Sequence, residues 1–73
     1  MITENETKLL KEWLPKGYYK DLALQLGFSE RYIVRIVNGE RNNEIILSNL
    51  IRLALKNKKR IEKLRGEIQK LAI

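Results

Sequence analysis

Apolar residues recur along this chain at helical spacing, and polar breaks divide them into short runs. Leu9, Leu10, Trp13 and Leu14 share one side of a first helix over about residues 4–14. Thr3 and Glu6 fit a capping box at its start, with the hydroxyl taking the amide of residue 6 and the carboxylate reaching back to the amide of Thr3. Pro15 and Gly17 end it. A second helix over about 19–26 buries Leu22, Ala23 and Leu26, and Gly27 stops it by supplying a positive φ. Ser29 is a good N-cap for a third helix over about 30–37. Phe28 before that cap and Ile33 four residues into the helix have the spacing of a hydrophobic staple. Asn38-Gly39 suits a left-handed closure, and residues 40–43 form a polar loop. From Glu44 onward the chain is helix-permissive, read as helices over about 44–56 and 58–72. Asn57 serves either as the break between them or as a polar position in one seam. No run alternates with the period of a strand, so the fold class is all-α: a compact domain of four to five helices.

The junction at Gly27-Phe28-Ser29 is too short for an ordinary loop, so it locks the second and third helices together. Ala23 is small enough for a close approach, and Ile33, Ile36 and Val37 face that contact. The opposite face of the third helix then carries Arg31, Val34, Arg35 and Asn38, at spacings i, i+3, i+4 and i+7. Such a helix suits the DNA major groove, which admits one α-helix. Arginine bonds bidentately to guanine, asparagine to adenine, and a valine can touch a thymine methyl. Ser29 and Glu30, at the helix start, are placed to meet base edges or phosphate. Taken alone, Arg31 and Arg35 would read as a solvated helix face; their place after this turn is what points to DNA.

Leu22, Ala23, Gly27, the hydrophobe Phe28, Ser29, Ile33, Ile36 and the trailing Asn38-Gly39-Glu40-Arg41 resemble the helix-turn-helix of the phage Cro and lambda-repressor family, also called the Xre type. The resemblance covers Tyr18 to about Leu55. It implies a lambda-repressor-like fold, a third helix in the groove and binding as a dimer. By it, Ser29, Glu30, Arg31, Val34, Arg35 and Asn38 would read bases. Tyr19 and Lys20, with Arg41, Asn42 and Asn43 after the third helix, would hold phosphates. Family members often carry Gln near the start of the second helix, bracing a base-reading side chain. Here Tyr18, Tyr19 and Lys20 stand in that region. On the residues alone, both tyrosines equally suit covering the core, and Asn43 equally suits capping the next helix.

The last third offers a different pattern. Leu47, Leu50, Ala54, Asn57, Ile61, Leu64, Ile68 and Leu71 alternate spacings of three and four, a heptad seam. Leu47, Leu50, Ile51 and Ala54 are needed for the domain's own core, which leaves Ile61, Leu64, Ile68 and Leu71 for a partner. Residues 1–57 therefore read as the helix-turn-helix domain and 58–73 as a C-terminal amphipathic helix that makes a homodimer. A helix folding back on its own domain is the alternative. In a parallel dimer Arg60 meets Arg65 of the second chain; in an antiparallel one it comes near Glu67.

Composition narrows the rest. Fifteen Lys and Arg against nine Asp and Glu give +6, which favours a polyanionic partner. Residues 1–14 carry −1, residues 15–43 carry +2 and residues 44–73 carry +5, so the excess is concentrated late in the chain. The densest cluster, Lys56, Lys58, Lys59, Arg60 and Lys63, fits a solvated face or a general attraction to phosphate. There is no cysteine and no histidine, which removes thiolate metal sites and the commonest general base. No cofactor, metal or small-molecule ligand is expected, and the chain is read as non-enzymatic. No apolar stretch is long enough for a bilayer and the start is acidic and polar, so a cytoplasmic protein is expected. The function expected is a small sequence-specific repressor. An autoregulating antitoxin is a variant, and a helical protein-interaction module using the 61–71 stripe is the competing class.

Overall fold

Local capping chemistry sets where each helix begins. The computed structural model describes residues 2–72 and has four α-helices among them, α1 (Glu4–Trp13), α2 (Tyr18–Leu26), α3 (Glu30–Val37) and α4 (Glu44–Gln69), followed by a 3-10 turn, Lys70–Ala72. The capping box of α1 is complete: the Glu6 amide donates to Thr3 Oγ1 at 3.2 Å and the Thr3 amide to Glu6 Oε1 at 2.8 Å. The Thr3 backbone amide foremost, and then the Thr3 side chain, hold the Glu6 carboxyl below its ordinary value. Ser29 Oγ accepts from the Tyr32 amide at 3.1 Å, and Asn43 Oδ1 from the Ile46 amide at 3.1 Å. Each satisfies a donor that the first turn of a helix leaves without an intrahelical partner.

Two left-handed glycines end the middle helices. At Gly27 (φ 75°) the amide donates to the Ala23 carbonyl at 3.0 Å. At the end of α3, the Gly39 amide (φ 77°) donates to Ile36 at 3.1 Å and the Glu40 amide to Arg35 at 2.9 Å. That nested pair is a Schellman closure, and it needs a left-handed residue at its centre.

The core gathers Leu14, Leu22, Ile33, Ile36, Val37, Ile46, Leu50 and Ala54. α2 packs on α3, and α4 lies against both α1 and α3. α4 has 26 residues, so it is about 39 Å long at 1.5 Å per residue. The molecule measures 47 × 26 × 16 Å. α4 therefore outruns the body, and its last turns project beyond the core.

Several expectations are corrected. α4 is continuous, so of the two readings of Asn57 the seam position holds and the break between helices over 44–56 and 58–72 does not. Asn57 sits inside it and is 9% exposed. Its Nδ2 donates to the Trp13 carbonyl at 2.7 Å, and its Oδ1 accepts from Arg60 Nη2 at 2.9 Å. The side chain thus closes the end of α1 rather than the end of its own helix. α1 stops at Trp13, one residue early, because the residue before Pro15 is pushed to extended backbone, and Leu14 has ψ 134°. Leu9 is 59% exposed and Ile51 is also exposed, so neither belongs to the core. Ile46, absent from the expected seam, is fully buried. The Phe28 ring lies 5.3 Å from the Tyr32 ring and is 38% exposed. Helix geometry also ends at Gln69, which puts Leu71 in the 3-10 turn, outside the α-helical seam.

Candidate nucleic-acid interface

The reading face expected on α3 is assembled by burial on its other side. Ile33, Ile36 and Val37 are buried in the core, which fixes the rotation of the helix and leaves the opposite side no choice but solvent. Arg31, Arg35 and Asn38 are exposed there, with Val34 half-buried between them. Among the described residues, neither Arg31 nor Arg35 makes a salt bridge or a side-chain hydrogen bond within the protein. Two planar guanidinium groups, each with five donors, are thus free for an external acceptor.

The start of α3 adds to this surface. Ser29 and Glu30 are exposed and share a shallow depression with Lys20, Ala23, Leu24 and Phe28. The Ser29 oxygen is used as a cap, but its hydroxyl proton remains available to donate. Lys20 stands on the same side as the helix start. Leu24 is a residue that sequence reasoning passed over. It lies off the buried stripe of α2 and is 86% exposed, an apolar side chain one turn from Lys20. An apolar residue out of phase with the helical stripe was its only signal.

The other expected phosphate ligands divide. Arg41 and Asn42 are exposed in the loop that follows α3. Tyr19 is half-buried against the core and meets the Tyr18 ring edge-on at 5.4 Å. Burial raises the pKa of the Tyr18 phenol, which is also packed there. Asn43 caps α4, and its Nδ2 donates to the Tyr32 hydroxyl at 3.4 Å, so its side chain works inside the fold. That bond ties the loop after α3 back to α3 itself.

The basic cluster on α4 is likewise partly internal. Lys58 Nζ lies 5.2 Å from the centre of the Trp13 ring and 3.9 Å from Glu62 Oε1. Arg60 braces Asn57. Lys56, Lys59 and Lys63 border a concavity with Pro15 and Leu53, where the projecting part of α4 leaves the body.

The expected dimer stripe becomes more open along the helix. Ile61 is half-buried, and exposure then climbs from 48% at Leu64 to 65% at Ile68 and 83% at Leu71. Ile61, Leu64 and Ile68 continue the side of α4 that Leu50, Ala54 and Asn57 bury against the body, and Leu71 lies past it in the 3-10 turn. Among the described residues, no helix is long and apolar enough to cross a membrane. No family model matches this chain, and no match is found among the curated proteins or the solved structures.

Proposed function

We propose that this chain is a sequence-specific DNA-binding regulator of the Cro and lambda-repressor type, acting as a homodimer with α3 of each copy in the major groove. The observation that carries the proposal is the two-sidedness of α3. Its inner residues are locked in the core, and Arg31, Arg35 and Asn38 stand outward, with neither guanidinium group bonded to another side chain among the described residues. Guanine O6 and N7 are the matching acceptors for arginine, and adenine N6 and N7 for asparagine. Lys20, Arg41 and Asn42 flank this face and would hold the phosphates that set its register.

The requirement for two copies follows from magnitude. A bidentate contact discriminates by ~1–3 kcal/mol, so two arginines on one copy supply about 2–6 kcal/mol. Specific sites are set apart from random DNA by about 4–10 kcal/mol, a range two copies reach comfortably. A dimer seated in the groove in this way would regulate by occluding a promoter. Its place of action is then wherever the DNA is, the cytoplasm.

Selection of bound duplexes from a random pool at moderate salt is the test. A palindromic consensus is expected, and it should be lost when Arg31 and Arg35 are both replaced by alanine while helicity is retained. A double variant that still selects the same sequence rejects the assignment of the reading face. The exposed Leu64, Ile68 and Leu71 favour a second reading, a module that binds another protein. Under that reading no duplex outcompetes random polymer, and the arginine variants bind the protein partner as before.

A further inference from the structure

The side of α4 that the body covers up to Asn57 continues past it, with Ile61 half-buried and Leu64 and Ile68 exposed. We infer that a second copy of this chain packs there antiparallel, with Ile61 of each copy against Leu64 of the other. The inference rests on the DNA-binding reading for its biological use, but the geometry that supports it is that of α4 alone.

Three observations favour this occupant and this direction. The first is charge. Arg60 and Glu67 flank the stripe at equivalent heptad positions, and antiparallel helices bring such positions together, an attraction that offsets Lys58 meeting Arg65 on the other flank. Parallel helices would instead set Arg60 against Arg65. The second is distance. The midpoint of an Ile61–Leu64 register lies about 12 residues beyond Leu50, or roughly 19 Å at 1.5 Å per residue. The two Leu50 side chains, each buried in the core that holds α3, are then roughly 38 Å apart along the pair. Reading helices on successive turns of one DNA face need ~34–36 Å. Parallel tails would put both bodies side by side at one end. The third is the concavity bordered by Pro15, Leu53 and Lys56, a recess at the foot of the projection. An antiparallel partner's Ile68 reaches toward that foot.

The same features set how the pairing responds to salt. Between residues 58 and 73 there are six basic and two acidic side chains, so two tails repel on the whole. The stripe offers a handful of side chains per copy, against the 20–30 residues a side of a typical stable interface. Self-association is therefore weak, and added salt strengthens it by screening the repulsion. DNA binding responds in the opposite sense, because salt opposes the release of counterions from phosphate.

Engineered cysteines test the arrangement in a chain that has none of its own. Ile61→Cys and Leu64→Cys proteins are mixed and oxidised without DNA, and the disulfide-linked species are separated. The mixed 61–64 product is expected to dominate. Links between two copies of the same variant, or no link at all, overturn the inference. Sedimentation of the unmodified chain gives an independent reading. The dimer should form at lower protein concentration as salt rises from about 0.1 M to about 1 M, where the screening length falls from about 10 to 3 Å. A chain monomeric under both conditions, or one that pairs more weakly at high salt, also overturns it. Failure of the duplex selection with the mixed link intact would reject the DNA reading and leave the pairing standing.

Discussion

Replacing Asn57 with alanine removes the donor that satisfies the Trp13 carbonyl at the end of α1, 44 positions away in the chain. Leaving the partner of such a hydrogen bond without a donor costs ~1–3 kcal/mol where water cannot replace it. The contact is only part-buried, so the lower half of that range applies. Alanine returns about 0.6 kcal/mol through its better helix propensity. The net loss is then about 1 kcal/mol. A 73-residue chain has a total stability of roughly 4–11 kcal/mol at about 0.05–0.15 kcal/mol per residue, so the loss is an appreciable fraction of it. It should lower Tm by roughly 4–8 °C, since a domain of this size loses about that much per kcal/mol. Thermal melting followed by far-ultraviolet circular dichroism reads it directly. Asn57→Leu separates donor from volume, because leucine fills the site and cannot donate. It should melt well below the natural chain; a leucine variant as stable as the natural one would falsify the role given to the hydrogen bond.

Further outcomes follow from the same geometry. Gly39→Ala forces a side chain onto left-handed backbone and brings its Cβ within 3.3 Å of the Ile2 carbonyl oxygen. A loss of about 1–2 kcal/mol is expected from the backbone alone, measured by urea denaturation, and an unchanged midpoint would count against the Schellman closure. Arg31→Ala and Arg35→Ala should each weaken specific binding by ~1–3 kcal/mol with Tm almost unchanged; equal losses on specific and random duplexes would make these residues phosphate contacts instead. Glu6 has a folded pKa below its ordinary value. Its stabilising contribution is therefore complete above the unfolded pKa and is lost as pH falls through the lowered folded value. Glu6→Gln should flatten that acid limb, and a melting curve against pH that keeps its full slope would remove Glu6 from the account.

Most of what was legible in the sequence is short-range. Thr3 with Glu6, Gly27 with Ser29, and Gly39 act on backbone within a few residues, so their chemistry specifies local structure before anything packs. The inner and outer faces of α3 were legible for the same reason, since eight residues at helical spacing leave one rotation that buries three large aliphatic side chains. The missed features are long-range. Nothing near Asn57 in the chain reveals that the carbonyl of Trp13 waits for it, so a break and a polar seam position stayed equally open there. Lys58 over Trp13 and Asn43 under Tyr32 are of the same kind. Leu9 and Ile51 were misplaced because amphipathic spacing names a stripe without saying how wide its cover is.

The absence of a break in α4 has a mechanical meaning. One rigid rod joins the loop that closes α3 to the stripe that projects from the body, so the angle between those two surfaces is set by counting residues. Each residue added between them turns one surface by about 100° relative to the other, and seven bring it nearly back into phase. Length polymorphism just after Arg60 would act as a torsional setting, changing where two such molecules point while the buried contacts of each one stay in place.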